Sequence, residues 1–259
     1  MIERQGIIGE KMIELRNLEK YIDELLMVKQ FDDYAPNGLQ VEGRKRIGKI
    51  VTAVTASQAV LDQAIIEGAD AILVHHGYFW KGEAQAIVGI KQRRVKTLLQ
   101  ADVSLLGYHL PLDAHPMLGN NAELAKVLNL KVESSFANGI AFMGVMNQPC
   151  AGEIFAQRIT EALGRKPLHI AGNNRLIKKI AWCSGGAQGY LEGAAMLGAD
   201  AYLTGEASEQ SFHNALELGV HFYAAGHHAT ERYGIKALGE HLAERFGLQH
   251  HFIDQDNPV

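Results

Sequence analysis

A stretch in the first half of the chain recurs in the second half with the same pattern of strand, helix and strand. Residues 49–73 match residues 179–203 at a constant offset of 130, and the Gly-Ala-Asp-Ala segment between helix and strand is identical in both. The matching positions in the first copy are Lys49, Ile50, Gln58, Leu61, Ala64, Gly68, Ala69, Asp70, Ala71 and Leu73. Because chance does not readily give a match in phase with one element pattern, we infer an internal duplication.

The duplication predicts the fold class. Each copy predicts a βαβ-type unit, so we expect an α/β protein of two similar α/β domains, residues 12–130 and 131–259, with an approximate boundary at which elements can be exchanged. Two similar halves can pack about a pseudo-twofold axis, which brings corresponding strand ends together. A site is therefore expected in the cleft between the halves, outside the strand ends.

Two adjacent histidines end the second strand of the first copy. The apolar run 71–74 predicts a buried strand, and His75, His76 and Gly77 follow it directly. Imidazole is the commonest protein ligand of first-row divalent ions. Neighbouring side chains on a strand point to opposite faces, so the pair either serves two ions or lies where the strand bends. The alternative is one core histidine and one surface histidine.

Two further strand ends carry a histidine and a carboxylate four residues apart. His227 and Glu231 would share one face of a helical turn. His109 and Asp113 have the same spacing, although Pro111 favours a turn there. The two pairs align with each other at a second offset between the halves. Imidazole and carboxylate are the ligands that borderline to hard divalent metals prefer, so the three strand ends predict a metal site.

Composition excludes several classes of protein. The 259 residues are 47% hydrophobic and 21% charged with a net charge of −4, which is typical of a globular protein and gives no support for a nucleic-acid patch. Cys150 and Cys183 are too few for a disulfide scaffold and are predicted to be buried. No signal core or membrane-length apolar run is found, so we expect a cytoplasmic protein that does not contact membranes. Met12 could serve as an alternative start, which would make the preceding residues dispensable.

Three other segments have two interpretations each. The aromatic run 78–80 beside the histidine pair could be a substrate wall or lid, or could pack against a neighbouring half or subunit. The turn 184–187, Ser-Gly-Gly-Ala, could cradle phosphate, although it matches neither the dinucleotide nor the P-loop pattern. Asn120 and Asn121 could cap a helix, or Asn121 could contact a ligand.

Four motifs, taken in order, resemble those of the bacterial YbgI proteins, which are called GTP cyclohydrolase I type II homologs. The motifs are Asp33-Tyr34-Ala35-Pro36-Asn37-Gly38-Leu39-Gln40-Val41-Glu42-Gly43, Val74-His75-His76-Gly77-Tyr78-Phe79-Trp80-Lys81-Gly82, His109-Leu110-Pro111-Leu112-Asp113-Ala114-His115 and Gly226-His227-His228-Ala229-Thr230-Glu231-Arg232. The resemblance covers the chain from about Met12 onward and is weakest over residues 131–149.

The resemblance implies two similar α/β domains and a ring-shaped homohexamer built as a trimer of dimers. It also implies a dinuclear metal centre with two divalent ions per subunit in a cleft that faces the cavity of the ring. The family's metal ligands fall on positions that are all unsubstituted in this chain: His75, His76, Asp113, His227 and Glu231. The mixed set suits Zn, Mn, Fe, Co or Ni better than Mg.

These expectations lead to two main functional hypotheses. The first is a two-metal hydrolase of a small, nucleotide-like molecule, with His109 and Glu83 as catalytic proton carriers and His228 as a further candidate orienting residue. The second is a metal-binding or metal-delivering ring without chemistry of its own, because binding and catalysis use the same residue types. A third is a scaffold in which the metals stabilise the interfaces of the ring.

Overall fold

The computed structural model describes residues 11–259 and divides into two compact units. Within the described range, the first unit contains residues 11–108 and 238–253, and the second contains residues 109–237 and 254–259. In the second unit, the helix over residues 120–127 contacts both the helix before it and the strand after it. The expectation that the first residues are dispensable concerns positions outside the described range, apart from Lys11.

The first unit is built on a five-stranded sheet and a two-stranded one. Its elements are β1 (Ile13–Glu14), α1 (Leu15–Leu25), β2 (Gly38–Val41), β3 (Arg46–Ile47), β4 (Lys49–Thr55), α2 (Gln58–Ile66), β5 (Ala71–His76), α3 (Gly89–Ala101), β6 (Ser104–Gly107) and, late in the chain, β13 (Gln249–Phe252). The large sheet has the order β13-β4-β5-β6-β2, and β1 pairs with β3. The three neighbouring pairs from β13 to β6 are parallel, and β2 closes the edge antiparallel to β6.

The core of the first unit lies between its central strands and the helices α2 and α3. Val51 and Ile72 from the strands pack in one cluster with Leu61 and Leu98 from the helices. The hydroxyl of Ser57 accepts a hydrogen bond from the amide of Val60 and so caps the beginning of helix α2. This packing fixes the carboxyl end of β5, where the histidine pair lies.

The second unit contains a six-stranded sheet with the order β7-β8-β10-β11-β12-β9. Its elements are α4 (Leu110–Ala114), α5 (Asn120–Val127), β7 (Leu130–Phe136), β8 (Ala141–Cys150), α6 (Gly152–Leu163), β9 (Leu168–Ile170), β10 (Ile177–Trp182), α7 (Leu191–Met196), β11 (Ala201–Thr204), α8 (Glu209–Leu218) and β12 (His221–Ala224). The helix α9 (His227–Phe246) follows, with residues 227–237 in the second unit and residues 238–246 in the first.

Both faces of the second sheet are buried. Along β10, Trp182 packs with Phe155 of α6 in one apolar cluster, whereas its neighbour Ala181 packs with Leu191 of α7 in another. The alternation of side chains along a strand explains the two clusters. Cys150 and Cys183 are free thiols and are buried in these clusters, as predicted.

The two sequence repeats have matching local structure in their respective units. Strands β4 and β5 pair in parallel with Ile50 opposite Ala71, and β10 and β11 pair with Ile180 opposite Ala201, at the same offset of 130. The carboxylate that precedes the second strand repeats its contacts. Asp70 accepts from the amide of Lys49, and Asp200 accepts from the amide of Lys179. The matched sequence therefore specifies the same strand register in both units.

The next strand in each unit matches at a different offset from the one that the histidines suggest. Ser104 pairs with Ala71 and His221 pairs with Ala201, which is an offset of 117. Superposing His109 on His227 requires an offset of 118. The offset that matches the strands therefore differs by one residue from the offset that matches the histidine-carboxylate pairs.

Two local expectations differ from the structure. Residues 110–114 form a short helix rather than a turn, because Pro111 lies in its first turn, where no amide donor is needed. Asn120 and Asn121 do not cap α5, since both side chains are buried and bind elsewhere. Over residues 11–259, no helix combines the length and apolar character that crossing a bilayer requires.

Candidate functional site

Strand β5 of the first unit ends in a buried histidine whose protonated nitrogen can be assigned. His75 is 1% exposed, and its Nδ1 lies 2.9 Å from the carbonyl oxygen of Tyr108. A carbonyl can only accept, so Nδ1 carries the proton and donates. The lone pair of the ring is therefore on Nε2, which is the usual arrangement of a metal-binding histidine.

The next residue, His76, is half-buried and contacts the first histidine. The two ring centroids are 4.6 Å apart, and each ring offers a nitrogen within 4.8 Å of the other. Nδ1 of His76 lies 3.2 Å from the hydroxyl of Thr55 on the neighbouring strand. The first unit thus presents two imidazoles whose ring orientations are set by neighbouring strands.

In the second unit, a histidine and a glutamate lie one turn apart at the beginning of α9. Nε2 of His227 is 3.1 Å from Oε2 of Glu231, and its Nδ1 is 2.6 Å from Oε1 of Glu206. Burial lowers the pKa of His227, but hydrogen bonds and charge from Glu231 and Glu206 outweigh this and raise it to about 9. A carboxylate at Nδ1 holds the proton on that nitrogen and turns Nε2 towards Glu231.

The carboxylate of Asp113 belongs to the same unit. It is buried, and its Oδ1 accepts hydrogen bonds from Nδ2 of Asn120 at 2.8 Å and from the hydroxyl of Ser184 at 3.0 Å. Asp113 and Glu231 offer carboxylate oxygens within 4.8 Å of each other. Two buried carboxylates this close repel each other when ionised, so a cation nearby would stabilise the pair.

The glycine-rich turn supports this cluster instead of cradling phosphate. Gly185 has a φ of +65°, and a side chain there would meet Oε1 of Glu231. The amide of Gly185 donates to the hydroxyl of Thr230 at 3.0 Å, and the amide of Ser184 donates to Oδ1 of Asn121 at 2.9 Å. These donors bind within the protein and could not bind phosphate without breaking those bonds.

The three residues that we predicted as proton carriers or orienting groups lie in different surroundings. His109 is 6% exposed and immediately precedes α4 in the second unit. Glu83, in the first unit, pairs with Lys91 at 3.2 Å and accepts from the amide of Trp80. His228 is directed to the carboxylate of Asp254, with Nε2 3.0 Å from Oδ1.

Sequence reasoning missed the side chains that orient the ligands. Glu206 holds His227, whereas Asn120 and Ser184 hold Asp113. A signal for Glu206 was present, because the duplication aligns it with His76. Asn120 was predicted as a helix cap, and only the packing of α5 shows that its amide binds a carboxylate.

Groups of buried or half-buried histidine, aspartate and glutamate side chains could therefore hold a metal ion. The donor set fits a transition metal, because it combines imidazole nitrogens with carboxylates. The acceptors at Nδ1 of His75 and of His227 fit the same role, because a metal-binding histidine usually donates its other ring nitrogen to such a group.

A family model described as Duf34/NIF3 (NGG1p interacting factor 3) matches residues 13–258. The chain belongs to this family. Among Duf34/NIF3 relatives, a protein of Allochromatium vinosum named "GTP cyclohydrolase 1 type 2 homolog" is 53% identical over 250 residues, which cover 96% of this chain and 98% of that protein. The relative from Escherichia coli K12 has the same name and is also 53% identical, over 93% of this chain and 98% of that protein.

Solved Duf34/NIF3 structures have the same fold. The structure titled protein ybgI is 52% identical with a TM-score of 0.94, and the match covers 95% of this chain and all of that one. TTHA1606 from Thermus thermophilus is 35% identical with a TM-score of 0.89 at the same coverage. The resemblance to YbgI proteins that the four motifs indicated is thereby confirmed.

Proposed function

We propose that this chain is a dinuclear metal-dependent hydrolase of a small, nucleotide-like substrate. In this proposal His75, His76, Asp113, His227 and Glu231 together hold two divalent ions. The observation that carries it is the orientation of two histidines. Nδ1 of His75 donates to a carbonyl and Nδ1 of His227 faces a carboxylate, and we propose Nε2 of each ring as the ligand atom.

Bound divalent ions would supply Lewis acidity at neutral pH. The chain's own residues would hold the ligands in place and move protons. Asn120 and Ser184 fix the orientation of Asp113 through hydrogen bonds to Oδ1. We assign proton transfer to His109, which is buried four residues before Asp113, and keep Glu83 as the second candidate.

The name shared by the relatives supports the substrate class. They are called homologs of a cyclohydrolase that acts on GTP, so we propose a nucleotide-like compound for this chain as well. We further propose the ring-shaped homohexamer that the resemblance implies, which light scattering on the purified protein would test.

We also infer that the two units arose by duplication. The matched register at an offset of 130 supports it, as do the contacts of Asp70 and Asp200 with the strand before each of them. The lysine at the start of that strand repeats as well. Nζ of Lys49 donates to the carbonyl of Glu67, and Nζ of Lys179 donates to the carbonyl of Leu197.

The first test is the metal content of protein purified without added metal, measured by elemental analysis. We expect two ions per chain, with both reduced by His75→Gln and by Glu231→Gln. Glu244→Gln is the matched control, because it changes an exposed glutamate on the same helix. If each variant lost a different one of the two ions, or if the native protein contained no metal, the result would contradict a single dinuclear centre.

The second test is a screen of nucleotides and phosphoesters with the identified ion. Hydrolysis that is lost in Glu231→Gln and retained in Glu244→Gln supports the hydrolase. Full metal loading without turnover of any compound would instead favour the metal-binding or metal-delivering assembly.

A further inference from the structure

Two aromatic rings of the first unit adjoin the proposed metal ligand His76. The ring centroids of His76 and Trp80 are 5.9 Å apart, and those of Trp80 and Tyr34 are 5.5 Å apart. Tyr34 is 54% exposed and Trp80 is half-buried. We call Tyr34 and Trp80 the aromatic wall. It extends from a metal ligand to the surface of the unit.

The two loops that carry the aromatic wall are tied together. The amide of Lys81 donates to the carbonyl of Tyr34 at 2.7 Å. The side chain of Gln40 bridges the same loops, because its Oε1 accepts from the amide of Tyr78 at 2.7 Å and its Nε2 donates to the carbonyl of Pro36 at 2.8 Å. The wall is therefore preorganised, which lowers the entropic cost of binding a ligand.

The position of the indole is also fixed from its own loop. Nε1 of Trp80 donates to the carbonyl of Gly77 at 3.1 Å, and its amide donates to Glu83 at 3.2 Å. Glu83 is in turn paired with Lys91. With its one side-chain donor bound to the main chain, the indole offers a ligand only its π surface.

The residue before Trp80 has an unfavourable backbone conformation. Phe79 has a φ of +64°, which is uncommon for any side chain and costly for a bulky one. Strain of this kind persists where the surrounding structure enforces it, and it concentrates at binding and catalytic sites. Here the strained residue directly precedes the indole.

We propose that the aromatic wall stacks a planar nitrogen heterocycle of the substrate, with Trp80 as the main platform. This deepens the proposed function and rests on it, because the ring would lie beside the ions that His76 helps to hold. Stacking on an aromatic side chain selects planar rings but tolerates differences among them. The wall would thus select the ring of the substrate, and the metal centre would act on it.

The two tryptophans allow a direct test, because Trp80 is half-buried whereas Trp182 is fully buried in the second unit. Guanosine, which has a planar ring and no phosphate, is titrated into the metal-free full-length protein while tryptophan emission is recorded. We expect saturable quenching in the native protein and its absence in Trp80→Phe, with ribose as the ring-free control.

Affinity provides the second measurement. By calorimetry, Trp80→Phe should bind guanosine within a few-fold of the native protein, and Trp80→Ala should bind about tenfold more weakly. Phe212→Ala, which removes an exposed ring in the second unit, should leave affinity unchanged. Equal affinity of Trp80→Ala and the native protein would overturn the proposal.

Two further outcomes separate this inference from the proposed function. Native metal content in Trp80→Ala together with no guanosine binding by the native protein would overturn the wall alone. Trp80 emission that changes with protein concentration, without quenching by guanosine, would assign the wall to a subunit contact and also overturn it. Quenching in a protein that binds no metal would support the wall and contradict the metal centre.

Discussion

Oε1 of Glu206 lies 2.6 Å from Nδ1 of His227, so a residue outside the predicted ligand set orients one of its members. Removing the charge of Glu206 should weaken this contact and lower the basicity of the ring. We expect Glu206→Gln to reduce metal affinity about 10- to 100-fold. Competition with a chelator of known affinity would measure this. Glu209→Gln, at an exposed glutamate that pairs with His213, should leave the affinity unchanged.

A second prediction concerns the glycine that supports Glu231. Gly185→Ala would place a Cβ against Oε1 of Glu231 at a backbone angle that favours glycine, so we expect a loss of about 1 kcal/mol or more in unfolding free energy. Metal content should fall as well, because the carboxylate must move. Urea unfolding and elemental analysis would test both effects. Gly189→Ala is the matched control, since its Cβ would meet nothing within 4 Å.

The two repeats allow a paired prediction about stability. Asp70 and Asp200 each accept two main-chain amides, but Asp70 is also 2.8 Å from Nη1 of Arg44. Asp70→Ala should therefore destabilise the protein more than Asp200→Ala. We expect a difference of only about 0.5–1 kcal/mol in unfolding free energy, because Arg44 is partly exposed and water weakens the ion pair. A double-mutant cycle with Arg44→Ala would isolate the pair. Equal losses in the two variants would show that the ion pair adds nothing.

The repeats also show how much of the fold the sequence predicts. Strand β5 contains the predicted apolar run 71–74, and the strand register repeats at the offset of the sequence match, because local patterning decides these features. The parallel pairing of β13 with β4 could not be predicted from local patterning, since it joins segments that are distant in sequence.

For the candidate site, the sequence indicates which residue types could bind a metal but not the side chains that orient them. Histidines at strand ends predict a metal site, and in the structure Nδ1 of His75 faces a carbonyl and Nδ1 of His227 faces a carboxylate. Asparagine and serine serve as caps, turn residues and hydrogen-bond partners alike. The roles of Asn120 and Ser184 beside Asp113 therefore follow only from the packed structure.

A fourth prediction concerns pH. His169 and His221 lie 3.1 Å apart in the second unit, and burial lowers the pKa of both from 6.5. The charge of His169 further lowers the pKa of His221, whereas Glu153 partly opposes the lowering for His169. The two histidines bind protons more readily in the unfolded chain than in the folded protein. Their contribution to the free energy of unfolding is therefore complete above pH 6.5 and is lost as pH falls through their lower pKa values in the folded state.

Urea unfolding between pH 7.5 and pH 5 would test the sign. We expect the native protein to lose stability over this interval, and His169→Gln to lose less because one buried imidazole has been removed. His213→Gln changes an exposed histidine and should keep the native slope. A slope that His169→Gln leaves unaltered would assign the pH dependence to other groups.

The partner of His75 is a main-chain carbonyl, whereas the partner of His227 is a side chain. The orientations of the two imidazoles therefore depend differently on substitutions of the partner residue. Any amino acid at position 108 supplies the same carbonyl oxygen, so the contact at Nδ1 of His75 does not depend on the identity of that side chain. A substitution at position 206 would remove the carboxylate at Nδ1 of His227, so selection on the proposed metal site should act far more strongly on that position.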